Sequence, residues 1–425
     1  MTVTTRGHAT PDDRPVFTGL GVIAPTGIGT TSFRRRTLDG ESSIGPVTRF
    51  DRDRYEAGLA GEVAGFVGEE HLSQRLLPQT DRMTQMALVA ADEALVASGL
   101  DTGQVDPFDI GVVTASTAGG FEFGQNELSK LWRDGSKHVS AYQSFAWFYA
   151  VNTGQISIRH GCKGPSLVVV SDQSGGLDAI GHARRQVRGG TAAVITGGMD
   201  ATICPWGWVA MMASGELSTR SDPARAYLPL THDASGWVPG EGGAMMVLEQ
   251  PHHARARGAS VHGRLSGYAA TFDPSPGSGR DTNVAAAMRG ALVDAGLDPA
   301  DIGFVVADAN GTPRRDREEV DAIRQVLGDT TPVVVSKTGT GRLLSGGAPV
   351  DVVVALQSLN DGLLPPSPGL DSAASLGLDV VVGTPRRHSA EHAMILARGI
   401  GGFNSCVIVS RGDDAPTQAP PTEGV

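Results

Sequence analysis

The sequence predicts a layered, mixed α/β fold on the strength of two features. Short β-branched runs recur along the chain, with stretches of helical period between them. Glycine and proline, 57 and 25 residues, fall between those runs as punctuation and form no low-complexity block, which is the texture of tightly turned elements. In chain order the strand-like runs are Val112 to Thr114, Leu167 to Val170, Val194 to Thr196, Met245 to Leu248, Phe304 to Val306, Val333 to Val335, Val380 to Val382 and Cys406 to Val409. The helix-like stretches are Thr84 to Ala97, Leu177 to Arg188, Asn283 to Ala295 and Arg317 to Leu327. Leu167 to Val170 is apolar at every position and reads as a buried strand.

A polar stretch from Gln250 to Gly258, carrying His252, His253, Arg255 and Arg257, separates two strand-rich halves, 14–250 and 251–412. No strict short-period repeat is visible, although each half carries a strand that runs into a Gly/Ser-rich turn and then a helix. The ends, 1–13 and 413–425, are polar with little to bury, and disorder is expected there.

With 46 acidic against 35 basic residues the net charge is -11, and no long Lys/Arg run offsets it. That balance argues against a nucleic-acid duplex or an anionic membrane as the main partner. Cys162, Cys204 and Cys406 are too few and too scattered for a disulfide framework or a CxxC zinc site, so no metal and a reducing, cytoplasmic setting are expected. The polar start, Met1 to Arg14, has no apolar signal-peptide core, and no apolar run reaches the roughly 18 residues of a membrane span.

Three turns stand where chemistry is expected. In the first, Leu167-Val-Val-Val-Ser-Asp-Gln-Ser-Gly-Gly-Leu turns from strand to amphipathic helix and aims Gln173 at the helix N-terminus. Free N–H groups and the positive dipole end there activate a thiol or hold an oxyanion, but a carboxamide is no acyl-accepting nucleophile. Ser174 lacks the G-x-S-x-G frame and reads as a helix cap. The second turn, Phe304-Val-Val-Ala-Asp-Ala-Asn-Gly-Thr-Pro, ends in Asn310-Gly311, where Asn suits a backbone of positive φ. The third, from Val333 through Lys337-Thr-Gly-Thr-Gly-Arg342, matches neither phosphate-cradling pattern despite its glycines.

With the opening Val16-Phe-Thr-Gly-Leu-Gly-Val-Ile-Ala-Pro-Thr-Gly and with Gly45-Pro-Val-Thr-Arg-Phe-Asp, these turns make the chain resemble a β-ketoacyl synthase of the thiolase superfamily. The likeness runs from Pro15 to Arg411. It implies a five-layered αβαβα fold of two similar halves with mixed sheets. In such synthases the first turn carries a Cys nucleophile, the second reads His-Gly-Thr and the third Lys-Ser-x-x-Gly-His. The matching positions here hold Gln173, Asn310 and Arg342. Condensation needs a thiolate and two imidazoles, so the resemblance implies a subunit that does not condense. The frame persists in Gly240-Glu-Gly, Lys337, Gly346-Gly-Ala and Gly399-Ile-Gly-Gly-Phe-Asn404, with Ile400 where an active synthase has a gating Phe.

The block from Ser144 to Gly161 and Pro205-Trp-Gly-Trp208 narrow the resemblance to the chain length factors, the ketosynthase β subunits of bacterial type II polyketide synthases. That likeness implies a heterodimer with a Cys-bearing ketosynthase α subunit, an acyl carrier protein bearing malonyl or polyketide chains, a chain-length tunnel at the subunit interface, and no cofactor. Phe121, Gly124 and Leu128, at the i, i+3, i+7 spacing of one helical face, together with Trp206, are the expected tunnel wall. Members making short products carry larger residues there, so Gly124 and Leu128 imply a roomier tunnel and a chain of about ten ketide units. Phe145, Trp147, Phe148 and Tyr149 are four of the 22 aromatic residues within five positions. They read as a partner interface or a local core cluster, and the resemblance favours the interface. Two alternatives keep an enzyme: Gln173 assisting decarboxylation of malonyl carrier protein to supply an acetyl starter, or a self-sufficient synthase using Cys162 or Cys204, neither of which sits at the activated turn.

Overall fold

The structure, a computed structural model, describes residues 13–275, 277–371 and 376–412. Apart from Asp13, the two ends expected to be disordered lie outside the described residues. Ten strands form the body of the fold: β1 (Val16–Ala24), β2 (Ile110–Ala115), β3 (Ser166–Val169), β4 (Ala193–Asp200) and β5 (Gly242–Glu249), then β6 (Gly263–Phe272), β7 (Ile302–Val306), β8 (Val333–Val334), β9 (His392–Arg398) and β10 (Phe403–Ser410). They lie in the order β8-β7-β9-β10-β6-β1-β5-β4-β2-β3. From the middle outward, the pairs β1–β5 and β5–β4 are antiparallel, and β4–β2 and β2–β3 are parallel. The second five strands repeat that order and those directions in β6–β10, β10–β9, β9–β7 and β7–β8. A repeat that is only hinted at in the sequence is therefore explicit in the topology. The expected pair of sheets is joined into one, because Val16 and Phe17 of β1 pair with Arg264 and Gly263 of β6.

Among the helices are α1 (Arg82–Ser98), α2 (Phe121–Asp134), α3 (Val151–His160), α4 (Gly175–Arg188), α5 (Pro205–Met212), α6 (Val284–Ala295), α7 (Pro313–Leu327) and α8 (Gly347–Asp361); α2 and α5 pack on each other at the edge of the body. Helices α4 and α8 lie between the two halves, and Leu177, Ile180, Val350 and Val353 share one core with Phe17, Leu248, Phe304 and Val407 from strands of both. Helix α1 closes the outer face of the first half through Met86, Ala90 and Ala94, and α6 and α7 close that of the second through Met288, Leu292 and Ile323. Five layers result, α-β-α-β-α. The approach is close: a Cβ on Gly19 of β1 would stand 2.0 Å from the Ala94 carbonyl oxygen of α1, so only glycine permits it.

Two strand expectations need correction. Leu167 to Val170 is not buried: β3 is the last strand of its edge, paired on one side only, and Leu167 and Val170 are 38% and 49% exposed. Val380 to Val382 forms no strand and makes a single bridge, Val380 to Val333, because the adjoining β8 is only two residues long. Helix α8 is not visible in the sequence, since 12 of its 15 residues are buried and a helix apolar all round shows no periodic stripe. No helix among the described residues is long and apolar enough to cross a membrane.

Candidate functional site

The three turns converge between the halves. At the first, β3 leads into Asp172, whose φ is +52°, and then into Gln173, which is buried and whose Oε1 has no hydrogen-bond partner. The Asp172 carboxylate accepts the Ile400 N–H at 2.7 Å, and burial pushes it above the usual carboxylate range. Ser174 takes the N-cap position of α4 without capping it. Its hydroxyl donates backwards to the Ser171 carbonyl at 2.7 Å and to Asp178 at 3.3 Å. Asp178 also accepts from Ser171, Tyr268 and Ser405, so one α4 carboxylate holds the turn to two strands of the other half. The first turn of α4 presses on the start of α8, where a Cβ on Gly176 would stand 2.2 Å from Pro349 Cδ.

At the second turn the positive φ falls on Ala309 and Gly311, at +50° and +93°, and not on Asn310. Asn310 is there for another reason: its Oδ1 accepts the Thr312 hydroxyl at 2.7 Å. The strained loop is held from below by α7. Glu319 accepts the N–H groups of Asp308 and Ala309 at 2.7 and 2.8 Å, and Asp316 accepts those of Gly311 and Leu230, both at 2.8 Å. Burial pushes Asp316 up to about 6, and burial with the charge of Asp308 pushes Glu319 up to about 7.

Arg342 brings the third turn onto the second. Its guanidinium is fully buried, with Nη2 3.0 Å from both carboxylate oxygens of Asp308 and Nη1 donating to the Asp308 and Ala309 carbonyls at 2.8 and 3.1 Å. Burial alone would raise the Asp308 pKa, but Arg342 and Lys337 hold it below the usual range, and Asp308 in turn holds Arg342 charged against its own burial. Lys337 donates to the Ala307 carbonyl at 3.1 Å and pairs with Asp351. These cations pin loops together, and neither is placed as a free acid or base. Burial pushes the Cys162 and Cys204 thiols up to about 11 each and Cys406 higher still, so none supplies a thiolate near neutral pH.

A second cluster lies on α2. The rings of Phe121 and Trp206 stack at 4.7 Å and 8°. A Cβ on Gly124 would meet Trp206 Cζ3 at 3.1 Å and Trp147 Cβ at 3.4 Å. The room expected at Gly124 is thus taken by Trp206, whose edge comes close to α2 at the position where glycine has no side chain. Leu128, a turn further along, is half-buried and joins neither ring contact. The aromatic run divides: Trp147, Phe148 and Tyr149 are each about two-fifths exposed, with Phe148 and Tyr149 4.3 Å apart, whereas Phe145 packs on the core beneath α1. Sequence reasoning missed Asp308, Asp178, Tyr227, whose hydroxyl donates to the Ala309 carbonyl, and Gln125, whose Oε1 accepts the Trp206 N–H. Only Asp308 had a visible signal, an acid two residues before Asn310 on a strand end.

This fold, with a strand-to-helix turn at each of its two equivalent positions, is that of the condensing enzymes, and the chain belongs to the β-ketoacyl synthase family. The family models for the Beta-ketoacyl synthase N-terminal and C-terminal domains match residues 13–254 and 262–371. Within the family it stands on the ketosynthase β branch. It is 52% identical over 399 residues to the actinorhodin polyketide putative β-ketoacyl synthase 2 of Streptomyces coelicolor, covering 93% of this chain and 98% of that one. It is 52% identical over 400 residues to the tetracenomycin polyketide synthase ketoacyl synthase beta subunit of Streptomyces glaucescens, with the same coverage. A solved structure of a type II polyketide synthase acyl carrier protein in complex with its ketosynthase bound to the hexaketide superposes with a TM-score of 0.83 at 25% identity, covering 94% of this chain and 100% of that one.

Proposed function

We propose that this chain is a non-condensing chain length factor that pairs with a Cys-bearing ketosynthase α subunit, and that its α2 face walls the tunnel receiving the chain carried by an acyl carrier protein. The observation that carries the reading is the state of Arg342. It stands at the motif position of a catalytic histidine, yet it is fully buried and its Nη groups are engaged by Asp308 and Ala309, so a structural ion pair occupies the place where chemistry is required. Among the apolar side chains left exposed are Leu167 and Val170 at the β3 edge and the run Trp147 to Tyr149, and an unpaired strand edge beside exposed rings suits a protein partner.

For the product we propose a long chain, about ten ketide units. Gly124 contributes by letting Trp206 recede against α2, and a side chain there would lift the indole into the lumen. Reconstitution with the partner ketosynthase and carrier protein, reducing enzymes absent, tests both parts. The isolated chain should elongate nothing, and Gly124→Phe should shorten the released chain by mass spectrometry. Elongation by the isolated chain, or an unchanged product from the variant, would remove the corresponding part. One observation favours a second reading, in which the unpartnered Gln173 amide assists decarboxylation of malonyl carrier protein: its Oε1 is buried beside the α4 N-terminus. CO₂ release by the isolated chain, lost in Gln173→Ala, would establish it.

A further inference from the structure

Trp206 sits at the second position of α5, where a helix leaves its first N–H groups without intrahelical partners. Pro205 removes one such donor, and the Cys204 Sγ accepts another from Gly207 at 3.4 Å. The N–H of Trp206 itself goes outside its own helix, to the side-chain Oε1 of Gln125 on α2 at 2.6 Å. Gln125 lies one turn beyond Phe121 and next to Gly124, so three neighbouring residues of one α2 face act on Trp206. Phe121 stacks on its ring, Gly124 leaves the ring room to come close, and Gln125 fixes its backbone. Trp206 is 39% exposed, so its ring has solvent on one side to move into.

We infer that Gln125 is a positioning residue for chain length: by capping α5 across the helix pair it holds Trp206 in the receded position. This deepens the proposed function and rests on the reading of Trp206 as tunnel wall. Without the cap, the Trp206 N–H is left with the Cys204 Sγ, a weak acceptor that also takes the Gly207 N–H, and the start of α5 is free to shift over α2, so the indole samples more than one depth. The consequence is a mixture of product lengths, where full removal of the ring gives a shift to one longer length.

The test compares Gln125→Leu, Gln125→Glu and Trp206→Ala, each reconstituted with the partner ketosynthase and carrier protein, with heterodimer formation checked by gel filtration and product lengths read by mass spectrometry. Leucine keeps the bulk and loses the acceptor; glutamate keeps the acceptor and adds a charge that suits a helix N-terminus. Gln125→Leu should let minor lengths rise roughly fivefold relative to the main product, the population ratio that one ordinary hydrogen bond maintains. Gln125→Glu should keep the wild-type distribution, a rescue that a packing role for the side chain would not give. If Trp206→Ala changes the product and Gln125→Leu does not, or if Gln125→Glu broadens the distribution as much as Gln125→Leu, the inference is wrong and the wall reading survives. If Trp206→Ala also leaves the product unchanged, the wall reading fails and the inference goes with it.

Discussion

The buried turns around Arg342, called the pocket below, and the half-exposed α2 face around Gly124, the proposed wall, are built in opposite ways from the same scaffold. Around Arg342 the side chains are buried, charged and mutually paired, with Asp308, Lys337, Asp351 and Glu319 each holding a loop backbone or a counter-charge. Around Gly124 they are apolar, half-exposed and held mainly by ring contacts and one helix cap. The difference teaches where each kind of change will register. In the pocket, a lost partner leaves a charge stranded in the interior, so substitution is felt as stability. At the wall, rings can move into space, so substitution is felt as geometry.

The largest effect is expected in the pocket. Arg342→Met should lower unfolding free energy by about 3–5 kcal/mol, the usual cost of stranding a buried partner, read from urea midpoints at constant m-value. Arg342→Met with Asp308→Leu should recover most of that loss, because the desolvation cost of the pair goes with its attraction. A double variant no more stable than the single would show that Asp308 is supported chiefly by Lys337 and by the Arg398 N–H, which reaches its Oδ1 at 3.0 Å. On the open side, Phe148→Arg should leave the isolated chain within about 0.5 kcal/mol of wild type, since the ring is two-fifths exposed. It should weaken association with the ketosynthase by about 2 kcal/mol, roughly thirtyfold, the scale of an aromatic anchor at an interface. Calorimetry of the two purified subunits would show it.

The same contrast explains what is legible in the sequence. The turn at Gln173 can be read because a strand, two glycines and an amphipathic helix are local patterns, and α4 begins at Gly175 as that pattern requires. Gln173, Asn310 and Arg342 can be placed because they stand in motif positions. What Arg342 does there cannot: its partner Asp308 is 34 residues away, brought close only by the β7 and β8 pairing. The Asn-Gly pair points to Asn310 for the positive φ that Ala309 and Gly311 adopt, because a dipeptide preference cannot see that Glu319 holds the preceding N–H groups. Leu167 to Val170 looks buried because its apolar run is the same on an edge strand as on a central one, and composition does not show that one side is left unpaired. At the wall, helical spacing groups Phe121 with Gly124 but gives no sign that α5 would lay Trp206 over the glycine.

A pH experiment separates the two regions further. Burial pushes Asp81 up to about 7, although it caps α1 through the Met83 N–H at 2.8 Å and holds the start of α2 through the Phe123 N–H at 2.8 Å. An unfolded Asp titrates near 3.9, so between about pH 4 and 7 the folded chain keeps a proton that the unfolded chain has released. Its contribution is complete below pH 4 and is lost as pH rises through about 7, with a slope of at most about 1.4 kcal/mol per pH unit. Glu319 and Asp316 in the pocket act in the same direction, whereas Asp308, held low, contributes above its unfolded value and is lost only in strong acid. Asp81→Asn should therefore flatten, without abolishing, the decline of the urea midpoint from pH 5 to 8. The level will drop as well, since one amide oxygen cannot serve both N–H groups, so the slope is the quantity to read. An unchanged slope would place the proton uptake in the other buried carboxylates that are held high, Glu319, Asp316, Asp172, Asp200 and Asp351.

The smallest substitution is the sharpest probe of the wall. Gly124→Ala adds one methyl in the interior of α2, where Gly costs roughly 0.5–1 kcal/mol relative to Ala. That methyl would meet Trp206 Cζ3 at 3.1 Å and Trp147 Cβ at 3.4 Å, so the indole must give by a few tenths of an ångström. Trp206 is 39% exposed and can do so, which leaves the helix gain largely intact. Thermal unfolding should thus show a chain as stable as wild type or slightly more so, while the reconstituted synthase releases a larger share of the shorter product. A pocket substitution cannot give that pairing, because there stability and arrangement depend on the same ion pairs. Should Gly124→Ala instead lose stability and keep its product, the indole is fixed more firmly than its exposure suggests, and Gly124 has no part in the proposed wall.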